Sequence, residues 1–217
     1  MSDRRLATLA SLAGLTLLVF AMVAVRVAYT GGLGWTWLYW NLFLAWVPLV
    51  VAVVVYDAAR RGAGGLALLG GGAVWLLFFP NAPYIVTDLK HLRDFDGAPI
   101  WFDTVLACSA AWAGLALGFI SLYLMQSVVR RRFGYFSGWA FALSVLGLSS
   151  FGVYLGRFER WNSWDVFTHP GALLADVWTL AEPRTAAVTV LFTAFLGMTY
   201  LVFYSFARAG LLEPTDH

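Results

Sequence analysis

Ionisable groups are scarce in this chain, where 12% of residues are charged and 61% are hydrophobic, so the places where they gather carry information. Two strings hold most of the candidates. In Phe79-Pro80-Asn81-Ala82-Pro83-Tyr84-Ile85-Val86-Thr87-Asp88-Leu89-Lys90-His91-Leu92, Asp88 and His91 stand three apart, which puts both on one face of a helix. A carboxylate beside an imidazole can move a proton or hold a polar ligand. In Tyr154-Leu155-Gly156-Arg157-Phe158-Glu159-Arg160-Trp161-Asn162-Ser163-Trp164-Asp165-Val166, Arg157 and Arg160 offer guanidinium forks suited to phosphate oxygens. With Trp161 and Trp164 they fall on one stripe at helical spacing. Asp165 and His169 stand four apart, with Pro170 behind them as a break. The candidate binding set is Asn81, Asp88, His91, Asp103, Arg157, Arg160, Asn162 and Asp165.

Several chemistries fit such a set unequally. A hydrolase or transferase would use Asp88 or Asp165 as base and Arg157 or Arg160 to hold a lipid phosphate, but nothing identifies a nucleophile, and the catalytic residues are unassigned. Ser121, Ser149, Ser150 and Ser163 lack a Gly-x-Ser-x-Gly elbow, and serine in a spanning helix usually bonds a nearby backbone carbonyl. Asp88, His91, Asp165 and His169 are metal-ligand types. The chain has three histidines, one of them the terminal His217, and no His-Glu-x-x-His string, so neither a metal nor any other cofactor is expected. Cys108 is the only cysteine, which excludes an intramolecular disulfide and a cysteine metal cage.

The elements that must position these residues are long apolar runs. Uncharged stretches cover Leu6 to Val25, Val27 to Tyr56, Gly62 to Thr87, Thr104 to Val129, Phe133 to Gly156 and Thr185 to Ala207, and a helix needs roughly 20 apolar residues to cross a bilayer. Their continuity excludes barrel strands, which alternate apolar and polar. Spans are expected at about 6–29, 34–56, 64–80, 104–129, 135–156 and 186–207. The run after Arg4 and Arg5 is longer than the apolar core of a secretory signal, roughly 7–15 residues, and is read as the first spanning helix.

Orientation follows from the basic residues, because short loops rich in Lys and Arg stay in the cytoplasm. With both termini inside, Arg4, Arg5, Arg60, Arg61, Arg130, Arg131, Arg132 and Arg208 are cytoplasmic. Lys90, Arg93, Arg157, Arg160 and Arg184 are outside, with Arg26 at the outer end of the first span. Topology and anionic headgroups account for these arginines, so no nucleic-acid partner is expected. Membrane lipids are the expected partners.

The chain reads as one integral domain, 1–217. The inner turns Asp57 to Ala63 and Arg130 to Arg132 are short, whereas Pro80 to Asp103 and Arg157 to Arg184 exceed the roughly 12–15 residues of a passive loop. Both are expected to be structured. Pro80 and Pro83 should stop the third helix, so that Tyr84 to Val86 dip into the outer leaflet or pack under the other loop, and a short helix starts near Thr87. Pro48 should kink the second span. Gly70 to Gly72, Gly114 with Gly118, and Gly152 with Gly156 are small-residue contacts; packing within the chain is preferred over a second copy or another membrane protein, without excluding either. Trp35, Trp37, Trp40, Trp101, Trp161, Trp164 and Trp178 are placed as headgroup-level anchors.

The stretch Phe79-Pro80-Asn81-Ala82-Pro83-Tyr84-Ile85-Val86-Thr87-Asp88-Leu89, with Tyr154-Leu155-Gly156-Arg157-Phe158 and Arg160-Trp161-Asn162-Ser163-Trp164-Asp165, resembles a family of bacterial integral membrane proteins catalogued as domain of unknown function 1361. The similarity runs from Asn41 and Leu42 to the last helix. It implies a multi-pass bacterial membrane protein and supplies no reaction.

The resulting reading is an all-α, polytopic transmembrane bundle of six spanning helices in the bacterial cytoplasmic membrane, N-in and C-in, with two structured outer loops. Its polar outer face recognises an amphiphile or lipid headgroup. Two other readings stand beside it. One is a structural or assembly scaffold in which Arg157, Arg160, Asp88, Asp103 and Asp165 form an ion-paired cap and Asn81 and Asn162 cap turns. The other is a carrier of a neutral or lipid-like molecule; the apolar core offers Asn41, Arg26 near one end and little else, too little for proton coupling.

Overall fold

Hydrocarbon offers a backbone no hydrogen-bond partners, so an uninterrupted apolar run must satisfy its amides within itself, as a helix. The computed structural model, which describes residues 3–93, 97–161, 165–169, 171–172 and 182–209, follows that rule. The long helices are α1 (Asp3–Thr30), α2 (Trp37–Arg60), α3 (Gly65–Phe78), α5 (Ile100–Phe133), α6 (Tyr135–Tyr154) and α8 (Pro183–Ala209). Between them lie a single turn α4 (Asn81–Tyr84), a 3-10 helix (Ile85–Arg93), a π-helical turn (Leu155–Glu159) and a short α7 (Asp165–Thr168). Six spans are long and apolar enough to cross a membrane, and the described residues contain no strand. Leu17, Leu69, Val190 and Leu191 are largely exposed, as lipid-facing side chains are. The protein is a multi-pass membrane protein.

The chain divides into two compact units, Met1–Ser121 and Leu122–His217, with α5 contributing to both. In the first unit, α1 and α2 run antiparallel. The Arg5 guanidinium donates to both carboxylate oxygens of Asp57 at 3.1 and 3.0 Å. Tyr39 donates to the Phe20 carbonyl at 3.1 Å, and the Trp46 indole to the Thr16 hydroxyl at 3.1 Å. α2 continues through the buried Pro48. α3 packs closely on α2, where a Cβ on Gly71 would come within 2.5 Å of a Val55 methyl.

The third span departs from expectation in part. α3 has 14 residues, about 21 Å of rise, which is short of the roughly 30 Å hydrocarbon core. The chain does not leave the helical path at Pro80 and Pro83. Pro80 has φ −59°, a value its ring already imposes, and Ile85, just past the turn, keeps a helical φ of −59°. The breaks are bridged by tight bonds, Ala82 N–H to the Phe79 carbonyl at 3.1 Å and Tyr84 N–H to the Pro80 carbonyl at 3.0 Å. The regular helix ends at Phe78, as expected before Pro80, and the short helix expected near Thr87 starts at Ile85 as a 3-10 helix, while the apolar span continues through the proline turn to Leu92.

Gly114 and Gly118 of α5 make room for that proline turn. A Cβ on Gly114 would stand 2.5 Å from the Ala82 carbonyl oxygen, and one on Gly118 would stand 3.1 Å from the Ala82 Cβ. These two glycines serve packing within the chain. Nearby, the fully buried Trp75 donates its indole N–H to Ser121 at 3.3 Å, and Ser121 donates onward to the Gly118 carbonyl at 2.8 Å.

In the second unit, α5 and α6 are joined by Gly134 alone, at φ 93°, a conformation that suits a residue without Cβ. α6 packs against α8. Close approach continues at Gly138, where a Cβ would lie 3.0 Å from that of Arg130.

Candidate functional site

Within the first unit, two short ladders of side chains face each other. On α2, Trp37 and Asn41 are four apart and share a face. On the 3-10 helix, Asp88 and His91 are three apart, the spacing at which 3-10 side chains eclipse. The Asn41 amide donates to Asp88 Oδ2 at 3.0 Å. The His91 ring meets Trp37 edge-on at 5.3 Å between centroids. Asp88 is 2% exposed, and a carboxylate so far from water must be hydrogen-bonded or paired to stay ionised. Beneath the cluster, Trp35 stacks on Trp37 at 5.6 Å. Trp35 adopts φ 71° and is completely buried, so it is a packing residue rather than a headgroup anchor. Trp40 and Trp101 are exposed, as anchors are.

Asp103 belongs to a different arrangement. Arg26 Nε and Nη2 reach its two oxygens at 2.7 and 3.0 Å, and both side chains are 2% exposed. This bidentate, charge-assisted pair is a strong hydrogen-bonded form, and it commits the Asp103 carboxylate to α1. Asn81 is likewise engaged locally, donating to the Phe78 carbonyl at 2.9 Å, a group that the proline break takes out of the regular ladder. Asn81 and Asp103 therefore act within the fold, whereas Asp88 and His91 sit together.

In the second unit, the expected arginine stripe is broken. α6 loosens into the π turn, which carries a half-buried Arg157, and ends at Arg160 in the left-handed region, φ 62° and ψ 30°. The Trp161 N–H then closes on the Leu155 carbonyl, six residues back, at 3.2 Å. Helical spacing fails because both the repeat and the hand of the backbone change between Leu155 and Trp161. Arg160 is exposed. Left-handed geometry at a residue with a Cβ costs about 1–2 kcal/mol, and π turns recur at functional sites. Phe158 packs on Tyr154 at 4.8 Å and lies under the Arg184 guanidinium at 5.5 Å.

The Asp165 carboxylate accepts from the Thr168 hydroxyl at 3.2 Å, and its carbonyl accepts from the His169 N–H at 2.8 Å. The His169 ring lies 3.0 Å from that hydroxyl, so these residues close their own turn. Asn162, Trp164 and Trp178 lie outside the described residues. Asp88 and Arg157, expected to meet, belong to different units, and each is described within its own. Among the described residues, no three His, Cys, Asp or Glu side chains come together as a metal group.

Three functional-site neighbours are absent from the candidate set drawn from the strings: Asn41, Trp37 and Arg26. The available signal was their position. A polar side chain inside an apolar run is expensive and is usually kept for a purpose, and Asn41 and Arg26 are the polar side chains noted there.

A family model described as protein of unknown function DUF1361 matches residues 40–199. The chain belongs to the DUF1361 family. The match takes in Asn41, Asp88 and His91 and the π turn with its arginines, and begins after Trp37. Among curated proteins and among solved structures, no match to this DUF1361 member was found.

Proposed function

We propose that this DUF1361 protein recognises the polar head of an amphiphile at the cluster formed by Asp88, His91, Asn41 and Trp37, on the extracytoplasmic side of a bacterial cytoplasmic membrane. The observation that carries the reading is the two-by-two pairing of Trp37 and Asn41 with His91 and Asp88. It combines an acceptor for a hydroxyl or ammonium group, an amide, an imidazole and an indole face within two helical turns. Indoles with one apolar side suit the boundary where a headgroup meets its tail.

Its depth supports the same placement. The residues between Arg5 and Arg26 rise about 32 Å at 1.5 Å each, close to the roughly 30 Å of a hydrocarbon core. Arg5 with Asp57 then marks one boundary, and Arg26 with Asp103 the other. The cluster lies on the first turns of α2, at the latter end. Basic residues favour the Arg5 end as cytoplasmic, with both termini inside. Asp103, paired with Arg26, and Asn81, bonded to the Phe78 carbonyl, are assigned instead to holding the fold.

The test is the lipid that stays with the purified protein. Mass spectrometry of co-purified lipid should show one amphiphile class enriched over the bulk membrane, and Asp88→Asn, which keeps shape and removes the charge, should reduce it about tenfold, the loss of one charged hydrogen bond. An identical profile for wild type and Asp88→Asn would refute the reading. A phosphatase fused after Asp96 should be active, and inactivity there would put the cluster on the wrong side.

A further inference from the structure

At the Arg130 end of the second unit, two helices present matched polar side chains to each other. Gln126 and Arg130 are four apart on α5, and Tyr200, Tyr204 and Arg208 follow at the same interval on α8. The Tyr200 hydroxyl donates to the Gln126 carbonyl oxygen. One turn on, Arg130 Nη1 and Arg208 Nη1 each donate to the Tyr204 hydroxyl oxygen at 3.1 Å. The two guanidinium groups are thereby within about twice that distance of each other, with no carboxylate paired to either among the described residues. The Arg208 guanidinium also lies 5.7 Å from the Tyr204 ring centroid, and Trp139 closes on that ring at 4.8 Å.

The chemistry of this cluster is one-sided. A phenol oxygen has two lone pairs and one proton; both lone pairs are taken, and among the described residues the Tyr204 O–H donates to nothing. Tyr204 is 7% exposed, so bulk water is no ready substitute. Each guanidinium keeps further N–H donors, and the buried Gln126 Nε2 is a donor without a partner. Donors and two like charges converge on one buried phenol, with Arg208 exposed and Arg130 half-buried, and among the described residues no carboxylate is supplied to them. A group with several anionic oxygens would answer both at once.

We propose that Arg130, Arg208 and Tyr204 form a site for a phosphate group, separate from the Asp88 cluster and at the end of the second unit that basic residues place in the cytoplasm. The phosphate could be carried by an anionic lipid headgroup of the inner leaflet or be free in solution, and the recognition chemistry is the same. The Gly138 contact holds the Arg130 backbone close to α6, so the fork is set by the hairpin as well as by its own rotamer.

The full chain in zwitterionic detergent micelles should be titrated with phosphatidylglycerol and, separately, with inorganic phosphate, with bound ligand counted by native mass spectrometry. Saturable binding of about one phosphatidylglycerol per chain, not displaced by millimolar inorganic phosphate, supports a lipid source; saturable inorganic phosphate binding supports a free one. In either case Arg130→Gln with Arg208→Gln should weaken binding at least about tenfold, one charged hydrogen bond or more. Tyr204→Phe keeps the aromatic packing and should weaken it several-fold while leaving the melting temperature close to wild type. Arg132→Gln, on an exposed neighbour, should change little. Binding of neither probe, undiminished binding in the double variant, or an equal loss in Arg132→Gln would overturn the site.

Discussion

The two ends of α1 carry the same ion pair in opposite surroundings. Arg5 reaches Asp57 with both forks, and the side chains stay 32% and 30% exposed. Arg26 also makes two bonds to Asp103, through Nε and Nη2, and both are 2% exposed. Geometry alone would rank them as equals. Burial separates them, because water and salt screen the first, whereas bulk water does not reach the second. A fork seen in coordinates therefore says where a helix is pinned, and its surroundings say how hard.

Removing one partner from each pair breaks the symmetry. Asp103→Ala takes the bidentate carboxylate from a buried guanidinium, and should cost about 3–5 kcal/mol in unfolding free energy, measured by denaturant titration in mixed micelles. Replacing both groups together, Arg26→Met with Asp103→Leu, should recover most of that loss, since well-packed apolar residues often match a buried pair. If the single change is as mild as its counterpart at the other end, burial is not what distinguishes them.

Gly114→Ala sharpens the comparison by testing the same unit without touching charge. Its Cβ has no room against the Ala82 carbonyl, so overpacking should cost about 1–3 kcal/mol, between the two ion pairs. A variant as stable as wild type would mean that the proline turn can retreat. Smallest of all, Asp57→Ala should cost no more than about 1 kcal/mol, and the difference should shrink as salt is raised. A larger, salt-insensitive loss would show that this end is drier than its exposure indicates.

The six spans were legible because continuity of apolar residues is a property of sequence. What hydropathy could not supply was which side chain a charge would meet. Arg26 stood out as a charge at the edge of an apolar run, yet its partner Asp103 is 77 residues away, and nothing local selects it over Asp88. The proline turn was legible only in part for a related reason: two prolines remove two donors, but their φ is helical, and whether the chain stops or tightens depends on neighbours such as Gly114. Trp35 could not be told from Trp40, since a boundary indole and a core indole are the same letter at the same depth. In the second unit, Arg130 and Arg208 were read only as topology signals. Their shared phenol, Tyr204, lies on the same helix as Arg208, and its four-residue interval with Tyr200 and Arg208 was the one clue available.

Gly134 leaves α6 with a single place to turn. Consecutive Cα atoms are 3.8 Å apart, so Phe133 and Tyr135 stand at most about 7.6 Å apart, less than the usual 8–10 Å between packed helix axes. The two helix ends cannot drift apart at that point, and any rocking of α6 against the Leu122–Phe133 segment must swing like a door on its hinge. The travel grows with distance from the pivot and is greatest at Leu155–Glu159, the wider turn that carries Arg157.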